Sequence, residues 1–367
     1  MMKKNNSKST VLVAMSGGVD SSTAAFLLKE KGYEVFGITM KLFDWRPKEK
    51  QGDEECCTLQ ASIDARDVCH RLDIPHYVID VREDFKKEVI NSFVSEYLCG
   101  RTPNPCVNCN TKIKWKYLAG KAKKLGANFL STGHYAHTEY DRKKGRYILR
   151  KGIDKTRDQS YVLWGLSQEN LAQTVFPLAD LTKNQIREIA EKNRLKVADK
   201  PESQEICFVP NDDYASFLSN WKKDKEISKG DIVDLKGEKI GEHQGIAFYT
   251  IGQRKGLGIS NAKPLYVVDI DVQKNTLLVA EEKELYRECF LVRHTNWISI
   301  DKPDEPIRCQ IKIRYLHQPV WGRVYPENGD FFRVRFETPQ KAITPGQSAV
   351  FYEEDVVLGG GVIDSVK

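Results

Sequence analysis

The chain has 367 residues, of which 40% are hydrophobic and 29% charged, and its net charge is +6. This balance excludes a disordered chain, supplies apolar mass for two or three domains, and permits a polyanionic partner without specifying one. The first residues carry lysines but no apolar core, and no apolar run approaches the roughly 18 residues of a membrane helix, so a cytoplasmic protein is expected.

Thr10-Val11-Leu12-Val13-Ala14-Met15 is a short β-branched run that reads as a buried strand. A Gly-rich loop follows, then a helix from Ser22 to Lys31 with Gly32 as its stop. A second strand is expected within residues 33–43, a helix over 58–72, and a third strand over 76–81. Helical patterns resume at about 84–98 and 111–125. A fourth strand lies within 127–132. Alternation of this kind predicts a parallel α/β sheet covered on both faces, with its ligand site at the carboxyl ends of the strands. The loops after Met15, Met40 and Thr132 should therefore lie together. Beyond about residue 215 the pattern turns to short strands and Gly-rich turns, which predicts a small central β-rich domain and a C-terminal β-barrel. The expected boundaries are 9–215, 216–285 and 286–367.

Ser16-Gly17-Gly18-Val19-Asp20-Ser21-Ser22 joins the first strand to the first helix. Paired glycines let phosphate approach the backbone, a helix N-terminus offers free N–H groups, and the serines add hydroxyl donors. The loop is neither a Walker loop nor a Rossmann fingerprint, since it lacks both Gly-Lys-Ser/Thr and Gly-x-Gly-x-x-Gly. It resembles the Ser-Gly-Gly-x-Asp-Ser loop of ATP pyrophosphatases, which split ATP into AMP and pyrophosphate. An acidic Asp20 beside phosphates calls for a cation, so Mg²⁺ is expected; the competing reading of Asp20 is a helix cap.

The nine cysteines, at 56, 57, 69, 99, 106, 109, 207, 289 and 309, are not read as a disulfide framework. Cys56, Cys57 and Cys69 are read as structural. Cys106 and Cys109 lie in the Pro-broken string Thr102-Pro103-Asn104-Pro105-Cys106-Val107-Asn108-Cys109-Asn110, which feeds a helix. A thiol just before a helix N-terminus, with Lys112 and Lys114 nearby, should have a lowered pKa. Cys-x-x-Cys alone fits a redox pair, half a zinc site or part of an iron–sulfur site. Cys207, between Ile206 and Phe208, reads as core on pattern alone.

The whole chain resembles the bacterial tRNA-specific 2-thiouridylases. The strings that carry the likeness are Ala14-Met15-Ser16-Gly17-Gly18-Val19-Asp20-Ser21-Ser22, Gly100-Arg101-Thr102-Pro103-Asn104-Pro105, Gly133-His134-Tyr135-Ala136, Asp158-Gln159-Ser160-Tyr161, Ser203-Gln204-Glu205-Ile206-Cys207-Phe208 and Thr250-Ile251-Gly252-Gln253-Arg254-Lys255-Gly256-Leu257-Gly258. The resemblance implies an adenine-nucleotide hydrolase-like domain and ATP-dependent 2-thiolation of uridine 34. It implies Cys207 as the persulfide carrier, Cys109 as nucleophile or resolving thiol, and an upstream sulfur carrier or cysteine desulfurase as donor. ATP would be held by residues 14–21 with Met40 and Gly133. The target base and tRNA would meet Asn104, Pro105, Cys106, His134, Arg157, Asp158, Gln159, Arg314, Tyr315 and Gln347. Met40 also reads as core, residues 157–159 as a helix start, Arg314 and Tyr315 with Lys312 as an exposed strand face, and Gln347 as a turn residue. Some members carry Asp where this chain has Cys106, so three thiols, Cys106, Cys109 and Cys207, stand as alternative ligands of a [4Fe–4S] cluster. Two rivals share features of the chain: an amidating synthetase with the same loop, and a non-catalytic RNA-binding protein.

Overall fold

The computed structural model describes residues 9–43, 59–200, 206–209, 213–221 and 227–366. It divides into two compact units. The first comprises the chain up to Val89, Cys106–Phe208 and Asp355–Val357; the second comprises Ile90–Pro105, Val209–Glu354 and Leu358–Lys367.

The first unit is built on five parallel strands. They are β1 (Thr10–Ala14), β2 (Glu34–Lys41), β3 (His76–Asp80), β4 (Phe129–Ser131) and, after a hairpin of β5 (Ala136–Asp141) and β6 (Arg146–Lys151), β7 (Thr174–Val175). Their order in the sheet is β3-β2-β1-β4-β7. β1 is central, and Val11, Leu12 and Val13 are wholly buried, as a strand covered on both faces requires. At the edge, β3 exposes Tyr77 and Val78. Helix α1 (Val19–Glu30) buries Val19, Ala24, Ala25 and Leu28 against the sheet and stops at Gly32, whose φ of 80° suits glycine. α1 starts at Val19, three residues earlier than expected, and the hydroxyls of Ser21 and Ser22 in its first turn donate back to the Gly18 carbonyl. Helix α2 (Leu59–Arg71) brings Cys69 over Gly37, where an added Cβ would come within 2.6 Å of the sulfur. Burial pushes the Cys69 thiol up to about 12, so it is a packing residue here. Cys56 and Cys57 lie outside the described residues. The hairpin of β5 and β6 was not legible in the sequence; the start of β17, introduced below, pairs with β6 through Val356 and Val357.

The second unit holds two β structures. A four-stranded sheet of β8 (Gly230–Val233), β9 (Lys239–His243), β10 (Tyr266–Asp271) and β11 (Thr276–Ala280) runs in the order β10-β11-β8-β9 around Ile232, Val267, Leu277 and Val279. The barrel comprises β12 (Tyr286–Trp297), β13 (Ile307–Lys312), β14 (Val320–Pro326), β15 (Phe332–Lys341), β16 (Ser348–Glu353) and β17 (Val356–Val366). β12 pairs with both β15 and β17, which closes the six strands. β15 alternates buried Phe332, Val334 and Phe336 with exposed Arg333, Arg335 and Glu337, the period-2 pattern of a barrel wall. Ile90–Pro105 packs with this unit rather than with its sequence neighbours. Tyr97 stacks on Tyr214 at 5.0 Å, and Arg101 donates to the carbonyls of Ile363 (2.9 Å) and Asp364 (2.7 Å). Among the described residues no helix is long and apolar enough to cross a membrane.

Candidate active site

Ala14 ends β1, and the chain enters the loop through buried Met15. The Met15 amide donates to Ile38 at 2.8 Å, and its carbonyl accepts from the Thr39 hydroxyl at 3.1 Å. Gly17 has φ of 75°, and a Cβ there would stand 2.3 Å from the Ala61 carbonyl oxygen. Only glycine fits. The loop holds its own shape. Ser16 N–H donates to Ser21 Oγ (3.1 Å), Gly18 N–H to Ser16 Oγ (3.4 Å), and Ser21 and Ser22 hydroxyls to the Gly18 carbonyl (3.2 and 2.9 Å). Gly133, just beyond β4, approaches closely enough that a Cβ would lie 2.8 Å from Ser21 N. The loops after β1 and β4 therefore do meet at the strand ends. Met40 is half-buried at the end of β2, where it pairs with Ile79.

Asp20 stands in the first turn of α1. Its Oδ1 accepts from the Tyr135 hydroxyl at 2.6 Å and from the Lys183 ammonium at 2.8 Å. Lys183 is buried, opens the helix Lys183–Lys192 behind a capping box of Thr182 and Gln185, and was missed by sequence reasoning. The Thr-x-x-Gln spacing announced a helix start, but nothing local in the sequence tells where the ammonium points. Tyr135 is itself fixed: its N–H donates to Gln159 Oε1 (3.1 Å) and its carbonyl accepts from Gln159 N–H (3.0 Å).

The expected helix start at residues 157–159 is a bracket instead. Asp158 is buried and accepts from the amides of Gly152 (3.4 Å) and Ser160 (3.1 Å) and from the Ser160 hydroxyl (2.9 Å), which spends the carboxylate internally before a 3-10 turn at Ser160–Val162. Arg157 is half-buried beside it. His134 is buried too, 2.6 Å from the Thr132 hydroxyl and against the Trp115 and Phe176 rings. Desolvation, with a further push from Lys114, holds its pKa well below the usual histidine value, so the ring is neutral.

The helix that carries the cysteines begins earlier than expected. Pro105 opens the turn Pro105–Asn108, and Cys109 opens a π-helical stretch, Cys109–Leu118, anchored by buried Asn110, whose amide donates to the Val162 carbonyl at 2.9 Å. Cys106 is exposed, while Cys109 and Cys207 are half-buried. The expectation of a lowered pKa fails at Cys106. The bulk of protein around the sulfur desolvates it and the Cys207 thiol close by adds to this, outweighing Lys114 and pushing the thiol up to about 11. Phe208 packs on Phe85 at 5.7 Å and fixes the segment that presents Cys207. Among the described residues no group of three or more Cys, His, Asp or Glu side chains is gathered so as to hold a metal ion.

In the second unit Gln347 is a clamp: its amide donates to the carbonyls of Thr102 (2.9 Å) and Pro103 (3.2 Å), just ahead of Asn104 and Pro105. Arg314 donates to the Lys341 carbonyl at 2.9 Å, and exposed Tyr315 has the Lys312 ammonium 5.6 Å from its ring centre. An exposed aromatic beside a cation can stack on a base.

Comparison with known proteins agrees with this geometry. Residues 9–211 match the tRNA methyl transferase HUP domain, 216–281 the tRNA methyl transferase PRC-barrel domain, and 287–363 the aminomethyltransferase beta-barrel domain. The chain is 48% identical to the tRNA-specific 2-thiouridylase MnmA 2 of Thermoanaerobacter sp. (strain X514) over 96% of this chain and 97% of that protein. It is 48% identical to MnmA 1 of Caldanaerobacter subterraneus subsp. tengcongensis over 99% of both chains, and 46% identical to MnmA of Clostridioides difficile (strain 630) over 96% of this chain and 98% of that one. With its parallel sheet, its glycine-locked serine loop and likeness along nearly its whole length, the chain belongs to the tRNA-specific 2-thiouridylase family.

Proposed function

We propose that this tRNA sulfurtransferase uses ATP to activate O2 of uridine 34 and replaces that oxygen with sulfur carried on Cys207. The observation that supports it is that one compact unit holds both the self-braced loop around Gly17 and the thiols of Cys106, Cys109 and Cys207. O2 attacks the α-phosphorus of ATP, the bond to the β-phosphate oxygen breaks, and pyrophosphate departs as N3 gives up its proton. The carbonyl oxygen, a poor leaving group, thereby becomes part of AMP, a good one. The terminal sulfur of a Cys207 persulfide attacks C2 and AMP leaves. Cys109 then attacks Cys207 sulfur, so the S–S bond breaks with its electrons left on the transferred sulfur, giving 2-thiouridine and a Cys109–Cys207 disulfide. A thiol reductant restores the pair. A persulfide donor protein reloads Cys207.

The chain's own part in the first step is placement. The loop amides and the α1 N-terminus suit phosphate oxygens, and Lys183 supplies a buried cation beside them. Asp20, together with ATP phosphate oxygens, would hold Mg²⁺, which when bound would offset charge on the departing pyrophosphate. Flipping the target base costs least in an unpaired anticodon loop.

The test is nucleoside mass spectrometry of unmodified tRNA treated with enzyme, ATP, Mg²⁺ and a protein persulfide donor. Wild type is expected to give 2-thiouridine, and Cys109→Ser and Cys207→Ser none. Full activity in either variant overturns the thiol roles; AMP formation without a thiolated base overturns the substrate.

A further inference from the structure

The string from Thr250 to Gly258 is among those that carry the family likeness and takes no part in the steps proposed for the reaction. In the structure it is an anchored loop. Gln253 braces it from within: its side-chain oxygen accepts from Thr250 N–H (3.1 Å) and its side-chain amide donates to the Lys255 carbonyl (3.1 Å). Its backbone ties the loop to β10, accepting from Val267 N–H at 3.0 Å. Leu257 is buried in the core of the four-stranded sheet. Gly256 and Gly258, with φ of 78° and 68°, take left-handed conformations between those anchors.

What the loop presents is positive. Arg254 and Lys255 are both exposed, and Arg254 lines an open concavity of about 570 Å³ that continues along residues 256–265. Among the described residues no carboxylate lies within ion-pairing distance of either head group. Glu282, which feels Arg254, is already bonded to Lys341 at 2.6 Å, and the third cation, Lys263, is taken by Glu281 at 2.8 Å. Nor does any hydrogen bond within the described chain use the backbone N–H groups of residues 254–258. Left-handed residues set among right-handed ones turn successive N–H groups to one side, and such nests take anions. Thr250, at the start of the loop, accepts a hydrogen bond from the Thr102 hydroxyl at 3.0 Å, which links it to the strand of chain that leads into Asn104 and Pro105.

We propose that loop 250–258 is a phosphodiester-binding site for the RNA substrate, with Arg254 and Lys255 as its cations and the amides around Gly256 and Gly258 as its donors. The proposal rests on tRNA being the substrate. Backbone phosphate is the ligand because the site offers charge and N–H donors without an aromatic face on which a base could stack.

The experiment is a titration of unmodified tRNA against the full-length protein at several salt concentrations, comparing wild type with Arg254→Gln plus Lys255→Gln. Both side chains are exposed and the replacements keep their stems, so a matching thermal melt is expected. The double variant should bind about tenfold more weakly at physiological salt, and its plot of log affinity against log salt should be shallower by about 1.4–1.8, two phosphate contacts' worth. Release of pyrophosphate at saturating tRNA should stay within about twofold. An unchanged affinity and slope overturn the site alone. A wild type that does not bind tRNA overturns the functional reading and this site with it.

Discussion

The serine loop and the cysteines share one compact unit but are prepared to different degrees. Around Gly17 the polar side chains already bond one another: Ser16 with Ser21, Ser21 and Ser22 with Gly18, and Asp20 with Lys183 and Tyr135. Around Cys106 the surroundings work against charge, since the protein massed about this exposed side chain and a neighbouring thiol hold it protonated. Binding a nucleotide rewards a backbone fixed in advance, because ordering costs are met in folding. Cys106, which the proposed sulfur transfer does not use, is kept neutral by its surroundings and so protected from idle oxidation.

The largest expected effect tests the prepared side. Lys183→Met removes the buried ammonium from Asp20 and, on the proposed reading, from the phosphates of ATP. The tRNA-dependent release of pyrophosphate should fall by on the order of 10²–10³, the usual cost of one preorganised charge donor. Lys183→Arg should recover part of that rate, since the charge survives with altered reach. A Met variant that releases pyrophosphate at the wild-type rate would remove Lys183 from the site and leave the salt bridge as mere packing.

The next effect tests the unprepared side. A thiol near pKa 11 is about one part in 10³ thiolate at pH 8, against roughly a tenth for an ordinary thiol near 9. Cys106 should therefore react with iodoacetamide about 100-fold more slowly than its exposure suggests. The rate should rise about tenfold per pH unit until pH approaches 11. The linkage has a matching sign: the folded state holds this proton more tightly than the unfolded state, so the contribution to stability is present below pH 9 and is lost as pH rises toward 11. Peptide mass spectrometry of timed alkylation reads the first, and melts across that range read the second. Cys106→Ser should keep 2-thiolation within a few-fold; abolition would restore Cys106 as a required ligand or nucleophile.

Sequence showed the sheet because its information is local. Strand runs such as Val11-Leu12-Val13, and the serine-glycine string that follows the first of them, state their roles within a few residues, whereas the close neighbours of Gly17 and Gly133, Ala61 and Ser21, are distant in the chain. It did not show Lys183, whose partner lies 163 positions away, nor that Asp158 would turn inward to Gly152 and Ser160. It misjudged Cys106 for a related reason. Helix position and nearby lysines are readable in a string, whereas desolvation is the sum of everything that folds around the sulfur. That Ile90–Pro105 would pack with the second compact unit was not legible either, because the edge-to-face contact of Phe93 with Phe217 and the stacking of Tyr97 on Tyr214 appear only after folding.

The smallest effect concerns Gln347, where the family likeness suggests an RNA contact and the structure shows a clamp on Thr102 and Pro103. The two roles separate by measurement. Gln347→Ala leaves two carbonyls without donors; both can turn to water at this half-buried site, so the loss is about 1 kcal/mol or less in global stability. If the side chain acts by holding the loop ahead of Asn104, kcat for thiolation should fall about three- to tenfold while tRNA affinity and its salt slope stay as in wild type. If it acts on RNA, affinity falls and kcat at saturating tRNA does not. The hydrogen bonds to the loop favour the first pattern, because an amide already donating twice within the chain has no donor left to offer a base.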